Sequence, residues 1–424
     1  MKILLVGSGG REHAMASRIK ASPLCSRLYI APGNPGMAPL GDLVPIKADD
    51  VAGLVKFAVS EKIGLVAIGP EDPLARGLAD ALHKERIKAF GPSQQGAQLE
   101  ADKAFSKKIM REAAIPTAEG RAFTQLRDAL AYIESRTDPL VVKAAGLARG
   151  KGVIVCADPV EAIDAVRNIM EKKIFGDAGK TVVIEERFAG PEISLLAFVD
   201  GRHAYLMEAA QDHKRIGDGD TGPNTGGMGA YSPAPLLTDD IITKAQREII
   251  VPLLDALHRH EIDYRGILYI GLMLTTAGPK TLEFNCRFGD PEAQPLLMRL
   301  KSDLVDVMLA CVDRQIDRLT LEWDSRAAIC VVLASEGYGW KPDDQVTRGV
   351  TITGLEEAAR LPGVQIFHAG TALKDGRLVT SGGRVLGVCA SGDDLAQARK
   401  TAYSAIEKIH FDGMQYRRDI GARV

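Results

Sequence analysis

The sequence predicts a multidomain protein of α/β and α+β class: an open parallel sheet first, mixed α/β units in the middle, and a small β-rich unit last. Three observations carry this. Short apolar runs alternate with amphipathic stretches up to residue 101, a proline break at Ile115-Pro116-Thr117 precedes a different pattern, and β-type segments crowd the chain from Ala327 onward. A length of 424 residues exceeds what a single core organises, so two to four domains are expected.

Lys2 to Val6, Arg27 to Ala31, Leu65 to Gly69 and Lys88 to Phe90 are strand-like, with helical patterns such as Pro73 to Lys84 between them. That alternation is the sequence form of a parallel sheet with right-handed crossovers, which places ligands at the C-terminal strand ends. A helix is predicted over Ser93 to Arg111 and ends before Pro116, which disfavours helix in the residue preceding it. Helices at Gln125 to Ser135 and Val160 to Lys173 then flank strands at Leu140 to Ala144, Gly152 to Cys156 and Val182 to Arg187, with Val160, Ile163, Val166 and Met170 as the apolar stripe of the second helix. Further strands are predicted at Ile193 to Asp200, Ile267 to Thr275 and Lys280 to Arg287. A glycine-rich loop, Gly217 to Gly229, and a helix near Asp239 to His260 lie between the first two of them. Strands at Ala328 to Ala334, Gln365 to Ala369 and Arg384 to Ala390 precede a last helix, Leu395 to Ile409.

Composition excludes several classes. Hydrophobic residues at 46% and charged residues at 25% describe an ordinary globular chain. The net charge of -2 comes without a basic run, so no nucleic-acid partner is expected. Six scattered cysteines form no CxxC pair, the N-terminus runs directly into a strand without a secretory signal, and no apolar run reaches the ~18 residues of a membrane span, so a cytoplasmic protein is expected. The eight histidines make no zinc motif; His258 and His260 read as surface residues of a helix end, whereas His13 and His213 stand in charged, glycine-rich surroundings.

Three segments carry candidate chemistry. Gly7-Ser8-Gly9-Gly10-Arg11-Glu12 links a strand to a helix, which makes either a tight turn or a phosphate site. It fails as a dinucleotide fingerprint because the third glycine position holds Glu12 and the second strand ends at Ala31 instead of an acid. Lys143 to Gly152 lies between two strands, so it is no Walker loop; it reads either as a hairpin with a solvated basic tip or as a flexible cover for a polyphosphate. In Thr281 to Arg287, alternation puts Glu283, Asn285 and Arg287 on one face and Leu282, Phe284 and Cys286 on the other. Two oxygen ligands beside a guanidinium suit magnesium and phosphate, with a solvated sheet face as the alternative, and Phe288-Gly289-Asp290-Pro291-Glu292 adds acids and a turn.

Taken in order, VGSGGREHA, APGNPG, GPEDPL, FGPS, QLEADKAFSK, VKAAGLARGKGV, VIEERFAG, QDHKRIGDGDTGPNTGGMGAYSP, LEFNCRFGDPE, LKSDL, IFHAGT, TSGGRVL and YRRDIG span the chain. The set resembles the ATP-grasp superfamily and, within it, the phosphoribosylamine-glycine ligase family of purine biosynthesis. The resemblance implies a central ATP-grasp fold and four units: an N-terminal domain over 1–101, an ATP-lid subdomain with its connecting helix over 102–190, a catalytic subdomain over 191–326, and a C-terminal domain over 327–424. It implies that Lys103, Lys143, Gly150, Lys151, Gly152, Glu185, Glu186, Phe188 and Glu192 bind ATP, with the lysines at phosphate and Glu192 at ribose. Glu283 and Asn285 would hold Mg²⁺ or Mn²⁺, and Arg287, Lys143 and Asp290 would be catalytic. Substrate would meet Gly9, Gly10, Arg11, Glu12, Asn34, Glu71, Asp212, His213, Lys214, Asn224, Gly227, Met228, Arg287, Gly289, Asp290 and Glu292. The sequence departs from the family pattern at Ala145 and Arg149 in the lid loop, and at Gly337-Tyr338-Gly339-Trp340, which lacks a proline.

What the resemblance implies chemically is ATP-driven ligation of glycine to phosphoribosylamine through glycyl phosphate. Small molecules would be the only partners, and the chain would be a monomer or a weak homo-oligomer. Another ATP-grasp carboxylate-amine ligase or a carboxylase is the alternative. A nicotinamide oxidoreductase is disfavoured by the broken fingerprint, and a noncatalytic nucleotide binder by Lys103, Lys143, Glu283 and Asn285.

Overall fold

The computed structural model describes residues 1–148 and 151–422. A five-stranded parallel sheet opens the chain, in the order Asp42–Leu43, Arg27–Pro32, Lys2–Gly7, Leu65–Ile68, Lys88–Phe90. The order in which successive strands are added reverses at Lys2–Gly7, so a crevice opens where that strand and Leu65–Ile68 end. The predicted helix Pro73 to Lys84 is two helices, Glu71–Ala75 and Leu78–Lys84, because Gly77 between them takes φ +81. Likewise the stretch Ser93 to Arg111 breaks at Asp102, which is extended and caps Lys103–Glu112 by accepting from the Ala104 and Phe105 N–H groups.

The second sheet is antiparallel in the order Gly120–Phe123, Val182–Glu186, Leu140–Ala144, Val153–Val155. Helices Leu126–Glu134 and Pro159–Val166 supply its core with Ala129, Ile133, Ala162 and Val166, and the next turn, Arg167–Glu171, adds Ile169. Of the predicted apolar stripe, Val166 is buried and Ile163 and Met170 pack against this core, but Val160 is exposed in the first turn, and Ala162 and Ala165 are buried beside them. A third sheet, Ala204–Leu206, Glu192–Asp200, Arg265–Thr275, Gly278–Asn285, is also antiparallel. Its last pair carries a bulge, since Gly271 and Leu272 oppose Glu283 and Thr281 with Leu282 extra. Leu282 is therefore half-buried at the cleft and not in the core predicted for it, and its carbonyl accepts from Lys143 Nζ at 3.2 Å.

Five antiparallel strands form the last large sheet: Gln211–Asp212, Gly229–Ser232, Ala327–Ala334, Arg384–Gly392, Val364–His368. Its first two strands precede residue 327 by about a hundred positions in sequence, and the glycine-rich segment between them folds as a hairpin, Arg215–Gly217 with Thr221–Asn224. Helix Leu395–Ile406 covers this sheet through Ala398, Ala402, Ala405 and Ile406. Among the described residues, no helix is long and apolar enough to cross a membrane.

Candidate active site

A cleft of about 1040 Å³ runs from the second sheet, the lid sheet, which occupies the region expected to be the lid, past the Gly278–Asn285 strand, to the crevice of the N-terminal sheet. Of the sequence-predicted residues it brings together Gly9, Arg11, Glu12, Glu71, Lys103, Lys143, Gly152, Glu185, Glu186, Phe188, Glu192, Asp212, Lys214, Asn224, Glu283, Asn285, Arg287, Gly289, Asp290 and Glu292.

At the lid end Lys143 pairs with the buried Glu185, whose other oxygen lies 2.7 Å from Lys107 Nζ. Lys107 also donates to Thr117 Oγ1 and the Ala118 carbonyl, which anchors the start of the lid to the helix. Lys103 opens that helix; its N–H donates to the Ala145 carbonyl and its Nζ to the Gly146 carbonyl. Position 145 thus acts through its backbone, which accounts for an alanine there. Burial pushes Lys103 and Lys107 below the usual lysine range, against the attraction of Glu283 and Glu185 respectively. Val141, Val153, Val183, Phe188 and Met273 give this end an apolar lining.

Mid-cleft, burial would raise the Glu283 carboxyl, but Lys214, Lys143 and Lys103 outweigh it and hold the group below the ordinary range. Lys214 Nζ lies 3.2 Å from Glu192 and 3.8 Å from Glu283. An ionised carboxylate and the Asn285 amide oxygen, side by side above the cleft, are a hard-oxygen donor set that fits a divalent cation.

The far end is organised around Arg287. Its guanidinium donates to Glu71 (3.2 Å), Glu100 (2.7 Å), Asn285 Oδ1 (3.2 Å) and the Phe288 carbonyl (3.2 Å). Burial opposes ionisation of Glu71, yet Arg287 and Arg11 hold its carboxyl down to about 2, whereas burial keeps Glu100 raised. Glu12 is buried beneath Gly9, whose N–H donates to it at 2.7 Å, and side chains at Gly7 or Gly69 would collide with it. Asp290 accepts from the Arg11 N–H and from Gln294, and Arg384 lies 3.5 Å from its carboxylate. Glu292 accepts from Tyr269 (2.8 Å) and Ser194 (3.0 Å). Burial, then Glu292, pushes the Asp212 carboxyl well up.

Other predicted residues stand elsewhere, among the described residues. Asn34 is buried as a tether, donating to the Ser8 and His368 carbonyls and so joining the first and last domains. Gly10 packs against Gln294, and Gly227, at φ +108, packs against Pro291 and Asp212. Met228 is fully buried with Ile216, Ala334 and Tyr338. His213 turns away from the cleft toward Tyr231, because strand alternation sends it opposite to Asp212 and Lys214. Lys151 stands in the lid loop with its N–H on the Ala148 carbonyl. Gly150, with Arg149, lies outside the described residues. The proline-free turn at Gly337 and Gly339 uses positive φ at both glycines, and the Tyr338 hydroxyl accepts from the Gly226 N–H.

Sequence reasoning missed Glu100, Lys107, Arg384, Ser194 and Tyr269. Lys107 follows Lys103 by one helical turn, so both reach the same side, and Arg384 lies in TSGGRVL. Both were findable; Glu100, Ser194 and Tyr269 acquire their roles only across the sheets.

Residues 1–100 match the phosphoribosylglycinamide synthetase N domain, residues 101–293 its ATP-grasp (A) domain, and residues 328–423 its C domain. The chain belongs to the phosphoribosylglycinamide synthetase family. Within that family it is 50% identical to the phosphoribosylamine–glycine ligase of Rhodopirellula baltica over 99% of this chain and 96% of that one. It is 48% identical to the Escherichia coli phosphoribosylamine–glycine ligase over 100% and 98%. The crystal structure of the Thermotoga maritima phosphoribosylamine–glycine ligase superposes with a TM-score of 0.86 at 34% identity, covering 99% of this chain and all of that one. A biotin carboxylase domain from Hydrogenobacter thermophilus shares the fold of the synthetase family at a TM-score of 0.74 and 17% identity, over 98% and 91%.

Proposed function

We propose that this chain catalyses the ATP-dependent ligation of glycine to 5-phosphoribosylamine, giving glycinamide ribonucleotide, ADP and phosphate in purine (IMP) biosynthesis. The observation that carries the reading is one continuous cleft in which Glu283 and Asn285 separate a lysine-rich lid end from the Arg287–Asp290 end. ATP takes the lid end, its base among the apolar side chains, its ribose at Glu192 and its phosphates at Lys103 and Lys143. Mg²⁺ or Mn²⁺ would be held by Glu283 and Asn285, and when bound neutralises phosphate oxygens as a Lewis acid.

Lys103 and Lys143 neutralise charge while a glycine carboxylate oxygen attacks the γ-phosphorus and ADP departs. Arg287, held by Glu71 and Glu100, orients the acyl phosphate. The phosphoribosylamine nitrogen then attacks the carbonyl carbon and loses a proton, and phosphate leaves with one former glycine oxygen. The lid sheet excludes water from that intermediate. A cytoplasmic location, a monomeric or weakly associated state, and units at 1–101, 102–190, 191–326 and 327–424 belong to the same reading. Support for the location comes from six cysteines that are all unpaired.

Glycine labelled with oxygen-18 in its carboxylate tests the reading. Inorganic phosphate carrying label, with ADP formed only when glycine and phosphoribosylamine are both present, is expected. Label in AMP, or unlabelled phosphate alongside product, overturns it.

A further inference from the structure

The YRRDIG segment near the C-terminus lies outside the cleft, yet it contains Arg417, whose long side chain is only 1% exposed. Its guanidinium forks onto Asp419, Nε to Oδ1 and Nη2 to Oδ2, both at 2.7 Å. Nη1 donates to Asp220 Oδ1 at 2.8 Å and to the Arg215 carbonyl at 3.1 Å. Two more bonds run beside it: Asp419 accepts from the Gly219 N–H at 2.8 Å, and Asp218 accepts from the Arg418 N–H at 2.7 Å. Four residues of the 215–220 turn, Arg215, Asp218, Gly219 and Asp220, are therefore fastened to residues 417–419. That tail is itself fixed to helix Leu395–Ile406, since Tyr403 donates to the Arg417 carbonyl and Arg399 to the carbonyls of Arg418 and Ile420.

The fastened turn is the outer end of the hairpin whose inner end enters the cleft. Thr225 donates through both its N–H and its hydroxyl to the Lys214 carbonyl, which locks the strand carrying Lys214 to the one carrying Asn224. Arg384 grips the inner end through the Gly226 carbonyl at 2.7 Å. Asp220 adopts φ +57, a conformation that costs a non-glycine residue free energy and persists only where partners hold it.

We infer that Arg417 is a positioning residue: it presets the 212–226 hairpin so that Lys214 and Asn224 face the cleft before substrate arrives. The inference rests on the reading of those two side chains as substrate-facing. Without the clamp the hairpin populates other conformations, and substrate must select the competent one, which lowers apparent affinity in proportion to its population.

Arg417→Met removes all four bonds, and Asp220→Asn, at a half-exposed side chain, weakens one arm without emptying a buried site. For Arg417→Met the expected result is a rise of about tenfold in the KM of glycine or phosphoribosylamine, with kcat at saturation kept within about threefold. Amide exchange over 212–226 should accelerate in the free variant and recover with saturating substrates. Asp220→Asn should shift the same readouts in the same direction by less, and it decides the matter if Arg417→Met does not fold. Unchanged KM values with only a lower melting temperature reduce Arg417 to a structural role and overturn the inference. A collapse of kcat at unchanged KM overturns it as well. Failure of the unmutated protein to ligate glycine sinks the functional reading instead, and the exchange data on the free protein are read independently of that.

Discussion

At the lid end of the cleft, two lysines share one buried carboxylate, Glu185, and every member of that cluster lies between residues 103 and 192. At the other end, Arg287 lies between Glu71 and Glu100, Asp290 lies beside Arg11 and Arg384, and the participants span residues 9 to 384. The Glu185 cluster is thus assembled by one small sheet and one helix, with Glu192 and Met273 of the third sheet completing the lining of that end. The far end exists only where the N-terminal crevice, the third sheet and the C-terminal sheet meet. A perturbation of the lid should consequently alter nucleotide affinity, whereas loss of an interdomain contact should damage the acceptor end and leave ATP binding intact.

The largest effect is expected where the two ends meet. Glu283→Gln substitutes a weaker metal ligand at a cleft-facing position, and turnover should fall at least about a hundredfold, ~2.7 kcal/mol of barrier, with the melting temperature nearly unchanged. Near-normal kcat at saturating magnesium would remove Glu283 from the metal site. Next, Arg384→Met removes the bonds to the Gly226 and Asp290 carbonyls and the nearby cation that holds the Asp290 carboxyl low against burial. A stability loss of ~2 kcal/mol and a fall of about tenfold or more in kcat/KM for phosphoribosylamine are expected, with ATP affinity kept. Weakened ATP binding instead would break the division between the ends.

Lys107→Met should act on the opposite side of that division. It leaves Glu185 with Lys143 alone and removes the bonds to Thr117 Oγ1 and the Ala118 carbonyl, so the KM for ATP should rise about fivefold while kcat at saturating ATP changes less. Titration of nucleotide binding by calorimetry gives an independent check.

The smallest effect concerns the contact between the first and last domains. His13 Nδ1 accepts from the His368 N–H at 2.8 Å, so the ring is neutral with its proton on Nε2. Burial, then the nearby His368, pushes His13 down to about 3, and burial pushes His368 to about 4. Unfolded histidines take a proton below about 6.5 while these folded ones do not, so their contribution leaves stability intact above that pH and erodes it as pH falls toward about 4. His13→Asn preserves an acceptor without a titrating group. Its unfolding free energy, measured by denaturant from pH 7 to pH 4, should fall less steeply than the parent's by up to ~1.4 kcal/mol per pH unit. Identical slopes would show that His13 does not link acidification to this interface.

The sequence by itself determined the parallel N-terminal sheet, because alternating apolar runs with amphipathic stretches have one compact solution. It also determined the cleft-facing pair Glu283 and Asn285, because period-two alternation does not depend on which strand lies next to it. Where the prediction slipped, a local backbone event decided: Asp102 turned from helix interior to cap, Gly77 split a helix, and the bulge at Leu282 brought its carbonyl to Lys143. Tertiary structure alone decided which polar residues meet. Asn34 and His213 stand in glycine-rich segments from which substrate ligands were expected, yet one became an interdomain tether and the other turned away from the cleft that its neighbours Asp212 and Lys214 line. Arg287 finds Glu71 and Glu100 at separations of 216 and 187 residues, and Arg417 finds Asp220 at 197. Short-range periodicity carries no information at those distances; only the docking of separately folded sheets, driven by their buried apolar faces, fixes such pairs.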